Sequence, residues 1–443
     1  MCPGGQCEVD GHIGSKECHG SANHDLVLRH RRRFALDCGG TAGAMTTEAA
    51  RQLASMPSER PTKVKSRDIS RSVEATLWGR AAGRCQFDGC NRPLWKSSVT
   101  QESVNLAEKA HIYSFSAHGP RGNRGVDTKR LNSLENLILV CDICHKTIDK
   151  NWSSGRYTVT QLQQWKAAHE ARVARVTGIG SEKSSHILLF GSNIGDHHGP
   201  LHYTQAVDAA FPHRYPAEDR AIELGVHNSV LSEATPALYW DSADENLKTD
   251  YEHVRRRIRS GEIKHLAVFA LAAQPLLIRL GALLGDIVRA EVYQLHREPA
   301  PSWKWPTQAP TAPELYLRRP SSTNGPPALV LAFSATVTAD RIISVLGPNA
   351  AIWTLTVPSP HKEMVKSPAQ LSEMRGLFSR MFDEIKTVHG QDTRLHVFPA
   401  MPVSLAVELG RARSPKAEMP WRIYDQVAAL GGFVPALEID PKE

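Results

Sequence analysis

Two cysteine pairs stand out, Cys85-Gln86-Phe87-Asp88-Gly89-Cys90 and Cys141-Asp142-Ile143-Cys144, about 50 residues apart. Four thiolates in two such knuckles make a tetrahedral set for zinc, which prefers soft ligands and is closed to water in structural sites. Between and just beyond the pairs lie His111, Asn136 and His145, with Asp149 following His145 at the i+4 spacing of one helix face. A neutral imidazole can take up a proton near pH 7, and the His145–Asp149 pair can face the same site. The other four cysteines, Cys2, Cys7, Cys18 and Cys38, fall in the first 44 residues, and none follows Cys144. A disulfide framework is excluded, because about 300 residues would have no staple.

The elements that must position these residues can be read around them. Ser66 to Arg84 reads as an amphipathic helix leading into the first pair. Thr160 to Glu170 reads as a helix after the second, fading at Gly178 and Gly180, where a domain boundary is expected. Beyond it, short apolar runs alternate with helical stretches. His186–Phe190, His265–Leu271, Ala290–Leu295, Ala328–Phe333, Ala351–Val357 and Arg394–Phe398 read as strands. Pro275–Val288, Thr338–Leu346, Ala369–His389 and Val403–Arg413 read as helices. Such alternation predicts an α/β layered domain with largely parallel strands, split into two similar halves by a proline-rich loop from Pro299 to Pro327. Leu266 to Leu284 is apolar but carries Gln274, Pro275 and Arg279, so it is a core strand and helix rather than a membrane span.

The chain has 443 residues, enough for two or three domains. Residues 1–44 carry Gly, Cys and His, the run Arg29-His30-Arg31-Arg32-Arg33, no sustained period and no apolar stretch of a signal peptide. Their histidines, His12, His19, His24 and His30, fit no closed zinc spacing with the four cysteines. They are expected to be a disordered leader, with Met45 as the physiological start. The formal charge is +7, unevenly spread. Residues 45–180 hold 21 basic and 12 acidic residues, whereas residues 181–443 hold 27 basic and 29 acidic. The positive charge thus sits in the cysteine-bearing segment, as a phosphate backbone would require.

The segments Ala110-His111-Ile112, Glu135-Asn136-Leu137-Ile138-Leu139-Val140-Cys141 and Cys144-His145-Lys146-Thr147-Ile148-Asp149, with Gly119-Pro120-Arg121-Gly122 between, resemble the HNH nuclease family. The resemblance covers roughly Ser66 to Glu170. It implies a zinc-stabilised ββα-metal domain that hydrolyses phosphodiesters of double-stranded DNA. Such chemistry needs an activated water, a Lewis acid on the phosphate and stabilisation of the leaving oxygen. His111 is then expected as general base and Asn136 as the residue whose amide orients it. His145 and Asp149 would hold a divalent cation, Mg²⁺ above all. Lys109, Arg121, Arg124, Lys129, Arg130 and Lys146 would grip phosphates. Ala110 departs from the family, in which a metal-binding Asp or His often precedes the base. Glu108 or His118 is expected to compensate, or water takes the place.

Residues 186–443 resemble the SAVED domain, two fused Rossmann-like (CARF-like) halves that bind cyclic oligonucleotides. The resemblance rests on His186-Ile187-Leu188-Leu189-Phe190-Gly191-Ser192-Asn193-Ile194-Gly195, Leu295-His296-Arg297 with Trp303-Lys304-Trp305, Leu331-Ala332-Phe333-Ser334-Ala335-Thr336, and Val397-Phe398-Pro399-Ala400-Met401-Pro402. The turn Gly191, Ser192, Asn193, Ile194 can bring N–H groups to a phosphate, with Ser334 and Ala335 its counterpart. Trp305 or Trp303 can stack on a base, and Arg297, His361 and Lys362 are candidate contacts.

The expected architecture is therefore a leader (1–44), an α+β HNH domain with its zinc site (45–180) and an α/β sensor (181–443). HNH joined to SAVED is similar to effector nucleases of bacterial CBASS anti-phage systems. That resemblance implies a cytoplasmic DNA endonuclease, switched on by a cyclic dinucleotide such as a cGAMP isomer through homo-oligomerisation, with no membrane partner. Two other readings fit the same segments: a restriction-type HNH enzyme whose C-terminal half reads modified bases, and a non-catalytic zinc DNA-binding regulator with a nucleotide sensor. The slightly acidic C-terminal half argues against the first.

Overall fold

The computed structural model describes residues 68–123, 125–192, 201–225, 236–308, 314–415, 417–427 and 430–441. The expected leader and the start expected at Met45 lie outside them. Helix α1 (Arg71–Ala81) starts where the Ser70 hydroxyl accepts from Val73 N, and stops at Ala82 in the left-handed region. Strands β1 (Ala107–His111) and β2 (Leu137–Cys141) pair antiparallel, with His111 opposite Leu137 and Ala107 opposite Cys141. Between them lie a short helix, α2 (Thr128–Leu131), and a 3₁₀ turn (Leu134–Asn136). Every residue of β2 is buried, which is why its sequence is an unbroken apolar run. Helix α3 (Asp142–Lys150) follows at once, its N-terminus capped by the Cys141 sulfur, and α4 (Val159–Thr177) is capped by Thr158. Leu77, Leu94, Ile112, Leu137–Val140, Ile148 and Leu162 form one core under the cysteines.

The remainder builds two sheets. The first comprises β3 (Ser184–Gly191), β4 (Tyr215–Pro216), β5 (Ile222–Leu224), β6 (His265–Leu271) and β7 (Arg289–Val292), in the order β4-β3-β6-β7 with β5 against the end of β3. All its pairings are parallel. It carries α5 (Tyr203–Ala210), α6 (Pro236–Arg259) and α7 (Gln274–Leu284). The second comprises β8 (Tyr316–Arg318), β9 (Pro327–Ala332), β10 (Ala351–Thr356), β11 (Leu395–Ala400), β12 (Trp421–Val427) and β13 (Gly432–Ile439), in the order β13-β12-β11-β9-β10-β8. Its four central strands are parallel and its two edge strands antiparallel. Helices α8 (Ala339–Leu346), α9 (Pro368–His389) and α10 (Val403–Arg411) complete it.

One helix from each half joins the two sheets, α7 after β6 and α10 after β11. Their backbones meet at two glycines. A Cβ on Gly281 would lie 2.0 Å from the Val407 carbonyl oxygen, and one on Gly410 would lie 2.0 Å from that of Ile278. Two glutamines add polar ties, since Gln274 Oε1 accepts from Met401 N (3.2 Å) and Gln294 Oε1 from Ser404 Oγ (2.6 Å) and N (3.2 Å).

The segment Leu266–Leu284 divides into β6 and α7 as expected, and no helix among the described residues is long and apolar enough to cross a membrane. Several elements went unread. Helix α6 spans 24 residues where no element was expected, β12 and β13 lie beyond the last predicted helix, and the proline-rich stretch contributes the edge strand β8.

Candidate functional sites

The four cysteine sulfurs at 85, 90, 141 and 144 lie within 4.8 Å of one another. Gly89, with φ of 77°, makes the tight turn that folds Cys90 back toward Cys85. Cys141 N donates to Cys85 Sγ (3.3 Å) and Cys144 N to Cys141 Sγ (3.5 Å). Burial pushes the Cys85 thiol up to about 12 and the Cys144 thiol up as well, whereas at Cys141 bonds from Cys144 N–H and the neighbouring thiols outweigh burial and lower it. The all-sulfur set fits zinc, whose binding would displace the thiol protons.

His111 ends β1. Its Nε2 lies 2.9 Å from Asn132 Oδ1, and Asn132 Nδ2 donates to the Asp68 carbonyl (3.2 Å). An amide oxygen only accepts, so Nε2 carries the hydrogen and Nδ1 keeps a lone pair for a proton. Asn136 does not make the expected bond to this ring. Its amide is consumed by backbone: Oδ1 accepts from Tyr113 N (2.7 Å), and Nδ2 donates to Tyr113 O (3.0 Å) and Leu131 O (2.8 Å). It is buried and fixes the chain on either side of the base, while Asn132 holds the imidazole. No spacing in the sequence marks Asn132, which reaches the site from the loop after α2.

His145 and Asp149 share one face of α3, with Nε2 3.3 Å from Asp149 Oδ2. The hydrogen bond that His145 donates to Asp149 raises the His145 pKa above its usual range, against burial. At Asp149, burial works upward, but bonds from His145 and Arg121 prevail and lower it. Glu108, on β1, brings Oε2 to 3.8 Å from His145 Nδ1. His118 is exposed and makes no bond to His145.

A second concavity of about 450 Å³ opens at the carboxyl ends of strands from both sheets. Arg297, Ser334 and Lys362 line it, together with Gln274, Gln294, Met401 and Asp425. Ser334 N donates to Ala400 O (2.7 Å), and Arg297 N to Glu363 Oε1 (2.9 Å). Those contacts seat two of the lining residues on the ends of β11 and on the loop before α9.

The family described as HNH endonuclease matches residues 85–154. The family described as SMODS-associated and fused to various effectors sensor domain, SAVED, matches residues 247–439. The chain joins an HNH endonuclease domain to a SAVED sensor domain. No curated protein matches it. Among solved structures, the Acinetobacter baumannii Cap4 SAVED/CARF-domain containing receptor with the cyclic trinucleotide 2′3′3′-cAAA is 11% identical, covering 71% of this chain and 67% of that one, with a TM-score of 0.37. The Moraxella osloensis Cap4 receptor is 12% identical, covering 72% of this chain and 71% of that one, with a TM-score of 0.32.

The HNH domain makes the protein a metal-dependent nuclease. Among the basic residues expected on its DNA face, Arg121 is the clear correction. Its side chain is 6% exposed, and it donates to Ile112 O (2.8 Å), His111 O (3.2 Å) and Asp149 Oδ1 (3.0 Å). A guanidinium so engaged ties β1 to α3 instead of facing solvent. Lys109 is paired with Glu74 (2.8 Å) in a part-buried contact and Lys146 with Asp142 (2.9 Å) in an exposed one that a phosphate can replace. Arg130 is exposed, whereas Arg124 and the Lys129 side chain lie outside the described residues.

In the SAVED domain, Gly191 ends β3 opposite Leu271, which lines the cavity. Ser192 is buried, with no partner for its hydroxyl among the described residues, while Asn193 and Ile194 lie outside them. Trp305 is not brought to this cavity. It packs against Tyr293 and His296 (centroids 6.2 and 5.6 Å), and Trp303 is buried edge-on to Phe269, so both indoles serve packing. Ala335 and His361, exposed neighbours of Ser334 and Lys362, also stay off the lining. The glutamines and Asp425 were missed because they belong to segments read only as strand ends or not at all.

Proposed function

We propose that this protein is an anti-phage effector, a cytoplasmic endonuclease that degrades double-stranded DNA when a cyclic oligonucleotide binds its SAVED domain. The observation that supports this most is the cavity walled by both halves of that domain, with Arg297 and Lys362 on its lining. Two cations in a concavity at strand ends suit a phosphate-bearing ligand, and about 450 Å³ suits a cyclic dinucleotide such as a cGAMP isomer. Because residues from two Rossmann-like halves meet there, a ligand that bridges them favours one arrangement of the halves over another. Homo-oligomerisation would carry that preference to the nuclease domains, assigned to residues 45–180, from the sensor at 181–443.

At the nuclease site, His111 accepts the proton of the attacking water on Nδ1 while Asn132 holds Nε2–H. Asn136 fixes the turn that aims the ring, and Arg121 binds β1 to α3 so that base and cation site keep their spacing. His145, with a neighbouring carboxylate from Glu108 or Asp149, would hold Mg²⁺, which when bound neutralises charge on the phosphate and the leaving oxygen. Zn²⁺ on the four cysteines would hold the scaffold. Incubating the protein with DNA, Mg²⁺ and a panel of cyclic di- and trinucleotides tests the reading. DNA loss with one of them supports it, and no loss with any overturns it.

A further inference from the structure

The two nitrogens of His145 face different carboxylates. Nε2 lies 3.3 Å from Asp149 Oδ2, while Asp149 Oδ1 accepts from Arg121 Nη2 at 3.0 Å. Both oxygens of Asp149 are thus engaged, one by a guanidinium whose side chain is 6% exposed and the other by the imidazole. An ionised carboxylate only accepts, so His145 donates through Nε2–H and its lone pair is on Nδ1. That lone pair points to Glu108, whose Oε2 is 3.8 Å away. The Glu108 carboxylate is half exposed; besides His145 it feels the Lys146 ammonium, which is itself paired with Asp142 (2.9 Å). The pleat explains its aim: Glu108 and Ala110, two apart on β1, share a face, and Ala110 is buried there with no ligand atom to offer.

We infer that the nuclease cation is held by Glu108 and Nδ1 of His145, with Asp149 as the positioning residue that orients His145 from behind and Arg121 as the clamp that keeps Asp149 there. A metal-binding histidine commonly donates its other ring hydrogen to a carboxylate, which fixes the tautomer and strengthens the donor nitrogen. Here the carboxylate that a guanidinium neutralises is the one suited to that outer place. The carboxylate that no guanidinium clamps is the one suited to the cation. The expected pairing of His145 with Asp149 as joint ligands is thereby rearranged.

This inference rests on the metal-dependent nuclease reading, and the test separates the two. The probe is Mn²⁺, titrated by calorimetry and electron paramagnetic resonance into the zinc-loaded full chain. Both substitutions, Glu108→Gln and Asp149→Asn, are nearly isosteric at partly exposed positions, and thermal melting confirms their folding. Wild type binds Mn²⁺. Glu108→Gln weakens binding by more than about 100-fold, and Asp149→Asn by about 10-fold, the cost of losing an outer partner. Unchanged Mn²⁺ affinity in Glu108→Gln, or a larger loss in Asp149→Asn than in Glu108→Gln, overturns the inference while leaving the nuclease reading intact. No Mn²⁺ binding by wild type overturns both.

Discussion

Removing Asn132 separates two accounts of how the general base is held. The side chain contributes one bond to His111 Nε2 (2.9 Å) and is itself anchored on Asp68 O. A net hydrogen bond is worth about 0.5–1.5 kcal/mol, and each 1.36 kcal/mol is tenfold in rate. Asn132→Ala should therefore slow DNA cleavage by about 2- to 10-fold, through a ring that spends less time aimed at water. His111→Ala, by contrast, removes the base and should cost about 10²–10⁴. Asn132→Asp adds a sharper signature. A carboxylate beside Nε2–H favours the imidazolium, so the base stays protonated to higher pH and the acid limb of the pH–rate profile moves up. Asn136→Ala strands three backbone groups and should appear chiefly in thermal melting, at about 1–3 kcal/mol for each group left unsatisfied. The assay is supercoiled plasmid cleavage under activating conditions, with melting in parallel. Wild-type cleavage by Asn132→Ala together with an unchanged pH profile in Asn132→Asp would show that Asn132 does not hold the base.

Other outcomes follow from the same geometry. Elemental analysis should find about one zinc per chain, and Cys85→Ser or Cys144→Ser should release it and unfold the nuclease domain, as seen by limited proteolysis. Gly281→Ala or Gly410→Ala forces α7 and α10 apart and should destabilise the SAVED domain by about 1–3 kcal/mol in denaturant titration. Burial, with Arg422 and Arg394 nearby, lowers the His396 pKa to about 4. The folded state therefore prefers the neutral ring, and this contribution is fully present above about 6.5 and lost as pH falls toward 4. His396→Gln should flatten that part of the stability–pH curve. Arg297→Ala with Lys362→Ala should weaken cyclic-nucleotide binding by calorimetry while leaving the melting temperature unchanged.

Legibility in the sequence followed how each residue does its work. The cysteine pairs were readable because four metal ligands must come close in two short turns, and their spacing survives as a pattern. His145 and Asp149 were readable because a helix converts an interval of four into one face. Strands β3, β6, β9 and β11 were readable because strands covered on both sides are unbroken apolar runs. Asn132 was not, since it acts by a single bond across a loop. Arg121 was misread because a positive charge in a basic segment looks like a phosphate contact until its burial is known. Helix α6 carries its apolar stripe on Tyr239, Trp240, Ala243, Leu247, Tyr251 and Val254, diluted by charges at nearly every other position. Strands β12 and β13 lie at a sheet edge and alternate, with Pro435 on the outermost strand, where no ladder donor is needed.

We propose that one chain couples a cyclic-nucleotide cavity to a DNA-cutting site. The most direct measurement is plasmid integrity after incubation of the zinc-loaded protein with Mg²⁺, with and without each member of a cyclic oligonucleotide panel. Degradation only in the presence of a cyclic oligonucleotide, lost in both His111→Ala and the Arg297→Ala, Lys362→Ala double variant, is the result predicted. Degradation that needs no ligand, or that survives the cavity double variant unchanged, would contradict it.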